Sequence, residues 1–373
     1  MTTPTIGIIG LGAMGLGIAQ VFAAAGHPVR ATDASPDSRA TALSRLSASL
    51  QPRIDKGAMT EEDRATLLSR LTVTDRVEDI APAEMVVEAI VERLPAKQSV
   101  FSLLEDHLSP HAVLATNTSS LSVAAIARGL AHPERLLGLH FFNPAPVMRL
   151  VELIPHAGTT PQALTTARTL TEAAGKTVIQ CADRPGFIVN RCARPYYGEA
   201  LALLEEGRSP QEIDAAMRAA GYRLGPFALI DLIGADINLA ATESLSAAMG
   251  HHPRYHVFTA LKAQVEKGAL GRKTGTGFTL PATETPPPPD AAAIALRIEA
   301  TLANEGAWLL SEGGTTAEGI DTALKLGLNF PRGPFEIAAQ HGRATIRDTL
   351  AKLEATAPAH LKTRYLPAPG LIP

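Results

Sequence analysis

The sequence has little cysteine, no excess of charge of one sign and no long apolar run. Its two cysteines, Cys181 and Cys192, have neither the spacing of a metal site nor the number needed for a disulfide framework. We expect both to be reduced and buried and no metal to be bound, which fits a cytoplasmic protein. With 34 basic and 37 acidic residues, and without a basic stripe carrying aromatic side chains, the chain is not expected to bind nucleic acid.

No apolar stretch approaches the roughly 18–20 residues that a membrane span requires. The first residues also lack the basic and apolar regions of a secretory signal, so neither export nor membrane association is expected. What is present is a chain of 373 residues, 46% hydrophobic, with charges spread throughout. This length predicts a folded protein of two or three domains.

A nucleotide-binding pattern opens the chain. A short apolar strand, residues 6–9, runs into Gly10-x-Gly12-x-x-Gly15 and then into a helical pattern. Strand, glycine motif and helix in this order form a dinucleotide fingerprint. Gly10 makes the tight turn, Gly12 lets the backbone approach the pyrophosphate, and Gly15 lets the helix pack against the strand. The helix N-terminus then presents its N–H groups to the phosphates.

A second strand ends at Asp33, about 20 residues beyond this motif. An acid there accepts hydrogen bonds from the ribose 2′-OH and repels a 2′-phosphate, so NAD is favoured over NADP. Strand and helix continue to alternate, which predicts a Rossmann-type α/β domain. A charged helical stretch, residues 36–70, interrupts the alternation. It is either a solvated helical pair or, in part, a basic surface for a phosphorylated substrate tail.

Two polar segments follow the ends of later strands. Residues 117–122 carry an amide and several hydroxyls, which would either line the cofactor crevice or cap the next helix. His140 follows the next strand, and Glu152 lies inside an apolar run, where a carboxylate is costly unless it is paired. A carboxylate behind His140 would fix its tautomer for acid/base chemistry. Hydride removal from a carbinol carbon needs such a base for the hydroxyl proton.

The sequence from residue 5 to about residue 280 resembles the L-3-hydroxyacyl-CoA dehydrogenase family. The resemblance rests on six ordered motifs: Gly10-x-Gly12-x-Met14-Gly15-x-Gly17-Ile18-Ala19, Glu88-Ala89-Ile90-Val91-Glu92, Asn117-Thr118-Ser119-Ser120, His140-Phe141-Phe142-Asn143-Pro144, Pro185-Gly186-Phe187-Ile188-Val189-Asn190-Arg191 and Gly271-Arg272-Lys273-Thr274-Gly275-x-Gly277-Phe278. It implies NAD-dependent interconversion of an (S)-3-hydroxyacyl-CoA and the 3-oxoacyl-CoA.

The same resemblance implies roles for individual residues. His140 and Glu152 would be the catalytic pair, Ser119 would hydrogen-bond the reacting hydroxyl, and Asn190 would position the substrate. Four further residues fall on family positions associated with the cofactor: Glu92, Lys97, Asn143 and Lys273. The 36–70 helices would help bind coenzyme A, with Lys56 as a phosphate contact.

The C-terminal half contains a duplication. Helices dominate beyond Asp183, with one predicted from Asn190 to Glu206. Ile213-Asp214 recurs as Ile320-Asp321, and Gly225-Pro226-Phe227 recurs as Gly333-Pro334-Phe335. In this alignment Asn190 falls on Leu296, so the second copy has kept packing positions and lost chemical ones. The predicted segments are an NAD-binding domain (1–184) with the 36–70 insertion, an all-α domain (185–280), a proline-rich linker (281–290) and a degenerate second copy (291–373).

Other readings remain open at this stage. The thioester carrier is coenzyme A or an acyl carrier protein, and the acyl chain is undetermined. A β-hydroxyacid dehydrogenase would need a lysine base where this chain has Asn190-Arg191, and a non-catalytic NAD-binding protein would not need the four implied catalytic residues. The two helical copies would pack on each other as an internal pseudo-dimer, or the second is a degenerate appendage. Monomer and homodimer both fit.

Overall fold

The computed structural model describes residues 3–283 and 285–371. Residues 1, 2, 284, 372 and 373, at the ends of the first and last predicted segments and in the predicted linker, lie outside the described residues. The chain divides into two compact units, Met1–Arg184 and Pro185–Pro373. Within the described ranges, no helix combines the length and the apolar character needed to cross a membrane.

The first unit is built on a sheet of eight strands, counted over its described residues. The strands are β1 (Ile6–Ile9), β2 (Val29–Thr32), β3 (Leu71–Val73), β4 (Met85–Glu88), β5 (Val113–Thr116), β6 (Leu136–Phe141), β7 (Leu150–Ile154) and β8 (Thr177–Gln180). Their order is β3-β2-β1-β4-β5-β6-β7-β8, and every neighbouring pair is parallel except β6 with β7. The predicted Rossmann-type fold is confirmed. The strand order reverses between β1 and β4, where such sheets bind nucleotides.

Helices connect these strands: α1 (Ala13–Ala24), α2 (Pro36–Asp55), α3 (Glu61–Ser69), α4 (Leu94–Glu105), α5 (Val123–Ala127) and α6 (Pro161–Ala173). β1, β4 and β5 are buried at every position, as expected for parallel strands covered on both faces. The two helices of the 36–70 stretch begin at polar caps. Ser35 accepts from the N–H of Ser38, and Thr60 forms a capping box with Asp63.

The second unit is helical: α7 (Val189–Cys192), α8 (Arg194–Glu205), α9 (Pro210–Ala219), α10 (Pro226–Ile233), α11 (Ala235–Ala248), α12 (Thr259–Glu266), α13 (Ala291–Ser311), α14 (Ala317–Leu328), α15 (Pro334–His341) and α16 (Arg343–Thr356). The single helix predicted from Asn190 to Glu206 is wrong, because it is broken at Ala193 into α7 and α8. Pro195 has no N–H for the continuing ladder and is accommodated in the first turn of a new helix.

The duplication is visible in matching helix caps. Asp214 in α9 accepts from the N–H groups of Phe227 and Ala228 at the start of α10. Asp321 in α14 accepts in the same way at the start of α15. The glycine before each capped helix lies against its aspartate, since a Cβ on Gly225 would approach Asp214 to 2.3 Å. Two copies of one helical fold, the second following the first, are confirmed.

The two copies are joined by reciprocal ion pairs. Arg191 donates through Nε to Glu305 (2.7 Å) and through both terminal nitrogens to Glu312. One hundred and six residues later, Arg297 donates to Glu199 and Glu206 with the same geometry. Each arginine therefore reaches the two glutamates of the other copy.

Candidate active site

The glycine motif lies between β1 and α1, at the edge where the strand order reverses. Gly10 has a φ of 99°, in the region that favours glycine, and a Cβ there would meet the Ala89 carbonyl oxygen at 2.6 Å. A Cβ on Gly15 would meet the Gly10 carbonyl oxygen at 1.8 Å, so the close packing of α1 on the loop requires glycine. Gly12 differs, because a Cβ there would meet no described atom within 4 Å. Protein packing therefore does not explain why residue 12 is a glycine, whereas the close approach of a bound ligand to its backbone would.

The surroundings of this loop fit NAD. The first turn of α1 has no side-chain cap and no acidic residue, which leaves its N–H groups for an anion. Asp33 follows β2, and its Oδ2 and Oδ1 accept from the backbone N–H groups of Leu11 (2.7 Å) and Ser35 (2.8 Å). These bonds hold a carboxylate beside the glycine loop, and its role toward the ribose hydroxyls stays a prediction. Arg45 also donates to the Leu11 carbonyl (2.9 Å), so α2 braces the loop.

Asp33 gives the first testable prediction. Asp33→Asn removes the charge that repels a 2′-phosphate and keeps the side-chain volume, so the preference for NAD over NADP should fall by roughly 10- to 100-fold. The measurement is kcat/KM for NADH and for NADPH with one 3-oxoacyl thioester. Asp37→Asn, on the exposed first turn of α2, is the matched control. An unchanged cofactor ratio in Asp33→Asn would remove the assignment to the ribose.

His140 and Glu152 lie directly opposite each other on the antiparallel strands β6 and β7. The Nδ1 of His140 is 2.7 Å from Glu152 Oε2. Glu152 is fully buried and His140 is 6% exposed, so the pair is held away from bulk solvent. A carboxylate at Nδ1 fixes the imidazole tautomer and assigns proton exchange to Nε2. The two residues that the sequence placed twelve positions apart are therefore a hydrogen-bonded pair.

A second polar group holds the loop after β5, which carries Ser119. Glu92 Oε1 accepts from Thr118 Oγ1 (2.6 Å) and from the backbone N–H of Ser119 (3.0 Å). Lys97, fully buried, pairs with Glu92 (3.2 Å) and with Glu88 (2.7 Å). Burial by itself would raise the pKa of Glu92, but Thr118, Lys97 and the Ser119 N–H together hold that pKa below its ordinary value. Glu92 is thus an anion that fixes the position of Ser119.

Three supporting contacts were not predicted from the sequence. Asn117 Oδ1 accepts from the N–H of Phe141 (2.8 Å), which ties the Ser119 loop to β6. Lys176 Nζ donates to the carbonyls of Ala145 and Met148 and braces the turn after β6. Asp183 accepts from the N–H groups of Val123 and Ala124 at the start of α5. Each contact joins residues 24 to 60 positions apart, so no local sequence pattern predicts it.

The remaining predicted residues lie in different places. Asn143 is exposed in the turn after β6, and Lys56 is exposed at the end of α2. In the helical unit, Asn190 lies in α7 and is half-buried. Lys273 forms an ion pair of 2.5 Å with Asp236 of α11. The roles of these residues toward cofactor and substrate stay predictions. Cys181 and Cys192 are both buried, as expected.

A Rossmann-type sheet, a glycine loop with Asp33 and a buried histidine–carboxylate pair define a dinucleotide-dependent oxidoreductase. Comparison with family models identifies which one. The 3-hydroxyacyl-CoA dehydrogenase NAD binding domain matches residues 5–184, and the C-terminal domain of the same enzymes matches twice, over 186–280 and 294–369. The chain therefore belongs to the 3-hydroxyacyl-CoA dehydrogenase family, and its cofactor is NAD.

Individual proteins agree with this assignment. The chain is 42% identical over 275 residues to 3-hydroxyadipyl-CoA dehydrogenase of Escherichia coli K12, covering 73% of this chain and 58% of that protein's length. It is 37% identical over 275 residues to 3-hydroxybutyryl-CoA dehydrogenase of Clostridioides difficile, covering 73% and 98%. The crystal structure of 3-hydroxybutyryl-CoA dehydrogenase from E. coli K12 superposes with a TM-score of 0.92 at 32% identity, covering 100% of this chain and 98% of the other.

Proposed function

We propose that this protein oxidises the 3-hydroxyl of an (S)-3-hydroxyacyl-CoA to the 3-oxoacyl-CoA with NAD, and catalyses the reverse reduction. The observation that carries the proposal is the buried His140–Glu152 pair, since a single histidine held by one carboxylate is the arrangement of a general acid/base. NAD, when bound, supplies the hydride acceptor.

The residues of the chain have separate tasks in this proposal. His140 Nε2 accepts the proton of the 3-hydroxyl, and Glu152 stabilises the resulting imidazolium. Ser119, fixed through Glu92, hydrogen-bonds the same oxygen, and Asn190 positions the substrate. In reduction, His140 returns the proton to the developing alkoxide. Because oxidation of the alcohol releases a proton and reduction takes one up, oxidation should be favoured by rising pH and reduction by falling pH.

Activity is tested by following NADH absorbance with acetoacetyl-CoA. Turnover supports the proposal, and absence of turnover with this and longer 3-oxoacyl-CoA thioesters would overturn the coenzyme A assignment. The same acyl groups on an acyl carrier protein then separate a change of carrier from a non-catalytic protein. Arg53 and Lys56, both exposed on the 36–70 helices, are the residues of this chain suited to the phosphates of coenzyme A.

The acyl group is the part of the substrate that the relatives leave open. A hydroxybutyryl chain ends in a methyl group, whereas a hydroxyadipyl chain ends in a carboxylate, and relatives of both names are similar to this chain. We propose both as candidate acyl groups. The two acyl groups differ at the end farthest from the thioester. A residue that distinguishes them must therefore either bind or exclude a carboxylate at that end.

We also propose that the two helical copies form an internal pseudo-dimer. Its support is the reciprocal pairing of Arg191 and Arg297 with the glutamates of the opposite copy. Helix α13 packs against α8 and α9 of the first copy.

Deleting residues 291–373 should therefore lower thermal stability and solubility. The deletion exposes the faces of α8 and α9 that α13 covers and leaves Glu199, which is fully buried, without Arg297 and Arg364. The measurement is the melting temperature, with size-exclusion chromatography of the truncated chain. A truncated chain as soluble and as stable as the full chain would show that the second copy is only an appendage.

A further inference from the structure

The helical unit contains a cavity with a basic lining. One side is a face of α8, where Arg194, Tyr197 and Leu201 follow each other at helical spacing. Two further arginines, Arg254 and Arg364, line the other side, and no aspartate or glutamate lies among the described lining residues. Burial, followed by the charges of neighbouring groups including Arg364, also lowers the pKa of His256 in this lining. Glu305 and Glu199 balance the charges of Arg254 and Arg364 from outside this lining, which leaves the charge of Arg194 to be considered.

Arg194 is 8% exposed and has no carboxylate partner among the described residues. Its Nε donates to the Asn190 carbonyl (3.1 Å), its Nη1 donates to Thr242 Oγ1 (2.9 Å), and its guanidinium lies 4.9 Å from the centre of the Tyr197 ring. Within the described part of the chain, Nη2 donates no hydrogen bond. Burial accordingly lowers the pKa of Arg194 from its ordinary value.

The other enclosed arginines of this unit provide the contrast. Each has a carboxylate within 3.1 Å: Arg191, Arg254, Arg297, Arg332 and Arg364. A buried cation without an anion is unfavourable unless a ligand supplies the anion. Arg194 is therefore the arginine of this group whose charge the described residues do not balance.

The second copy shows that the fold does not require this charge. Arg191 pairs with Arg297 and Glu199 with Glu305 in the duplication, both 106 residues apart. At the same offset, Arg194 corresponds to Ala300, which is fully buried in α13. The helix therefore packs equally well with a methyl group at this position.

The partners of Arg194 change together with it. Helices α11 and α16 follow Gly234 and Gly342, 108 residues apart, so Asn238 corresponds to Ile346 and Thr242 to Leu350. Both replacements are fully buried and apolar. Asn190 corresponds to Leu296, so the polar residues around Arg194 were lost with the residue proposed to position the substrate.

Asn238 supplies a second, independent sign of a missing ligand. Its side chain is 2% exposed, and neither its Nδ2 nor its Oδ1 has a hydrogen-bond partner among the described residues. Its own carbonyl accepts from Arg194 Nη1 and from Thr242 Oγ1. The residue whose backbone accepts from Arg194 thus also carries a buried amide with an unused donor, and a bound carboxylate would accept from both side chains.

We propose that Arg194 binds a carboxylate at the far end of the acyl chain, so that the substrate class is a 3-hydroxyacyl thioester of a dicarboxylic acid. This rests on the proposed function, in which Asn190 positions the reacting part of the substrate. Asn190 and Arg194 lie four residues apart on either side of Ala193, and the bond from Arg194 Nε to the Asn190 carbonyl (3.1 Å) holds them close together. In a six-carbon 3-hydroxyacyl chain the terminal carboxyl carbon lies three carbons beyond the hydroxyl carbon, so a substrate held at Asn190 would present its carboxylate to Arg194.

The lining also distinguishes such a substrate from an inorganic anion. Tyr197, Leu201, Phe258 and Leu261 contribute apolar surface to the same cavity. The carbon next to a bound carboxylate would contact this surface, whereas a free phosphate or chloride ion carries no carbon to do so. The planar guanidinium suits a bidentate carboxylate.

The test compares 3-hydroxyadipyl-CoA with 3-hydroxyhexanoyl-CoA, which have six acyl carbons each and end in a carboxylate or a methyl group. Wild type should prefer the adipyl substrate in kcat/KM, and Arg194→Met should lower that preference by roughly 10- to 100-fold. Arg194→Lys keeps the positive charge but loses the planar guanidinium that can bind a carboxylate through two nitrogens. This variant should therefore retain part of the preference for the adipyl substrate. A wild type without this preference, or an Arg194→Met variant with an unchanged preference, would overturn the inference.

Two controls separate this result from others. Arg332→Met removes an enclosed arginine of the same unit that is paired with Glu299, so it should lower the melting temperature and leave the substrate ratio unchanged. Arg194→Met should lower the ratio without a comparable loss of melting temperature, since it removes an unbalanced charge. Turnover of the hexanoyl substrate without an adipyl preference refutes the inference alone, whereas no turnover of either substrate refutes the proposed function.

Discussion

His140→Gln is expected to lower kcat for reduction of acetoacetyl-CoA by roughly 10²- to 10⁴-fold, the usual contribution of a general acid/base. Glutamine keeps a polar side chain at this position of β6 but cannot take up and return a proton. NADH binding, measured by fluorescence titration, should persist, because the glycine loop follows a different strand. The measurement is steady-state turnover at saturating NADH.

His27→Gln is the matched control for this variant. His27 is also 6% exposed and belongs to the same unit, but its Nδ1 contacts the Pro4 carbonyl instead of a carboxylate. Glu152→Gln should reduce kcat as well, since it leaves the imidazolium of His140 without its stabilising charge. Turnover by His140→Gln equal to that of wild type would contradict the role of His140 and leave the family assignment intact.

Glu305→Gln should have the largest effect on stability. Glu305 is 1% exposed and lies 2.7 Å from Arg191 Nε, 2.6 Å from the hydroxyl of Tyr255 and 3.0 Å from Arg254 Nε. Burial, followed by the charge of Glu305, raises the pKa of Tyr255 above its usual range. Removing the charge leaves two buried guanidinium groups poorly compensated, so the free energy of unfolding should fall by about 3–5 kcal/mol.

Urea unfolding measures this loss. Glu199→Gln should give a similar decrease, because Glu199 holds the equivalent place against Arg297 and Arg364. Glu318→Gln, on the exposed first turn of α14, should stay within about 0.5 kcal/mol of wild type. A loss below about 1 kcal/mol in both buried variants would show that the reciprocal pairs do not hold the copies together.

The sequence was most informative where the chemistry is local. The turn, the close approach and the helix start of a dinucleotide site all fall within Gly10–Gly15, because one loop must meet all three demands. The duplication could also be recognised in the sequence, since each copy repeats the same aspartate cap and the same glycine before the capped helix. These features survive in the sequence because neighbouring residues build them.

Helix boundaries were less certain. The apolar pattern ran through Ala193, and only the consequences of Pro195 for the backbone divided α7 from α8. The contacts that hold the Ser119 loop could not be predicted from the sequence either. They depend on Lys97, whose fully buried ammonium group pairs with Glu92 and Glu88. Periodicity describes which face of a helix is apolar, not which buried charges meet across elements.

By itself, then, the sequence determined the cofactor NAD, the family and the duplicated helical fold. Only the tertiary structure decided the partners of the charged residues. Antiparallel pairing of β6 and β7 places Glu152 opposite His140, whereas a shift of one residue would turn that carboxylate to the other face of the sheet. Folding likewise brings carboxylates to Arg191 and Arg297, whereas none of the described residues supplies one to Arg194, because the balance of a buried charge depends on contacts between residues distant in the chain.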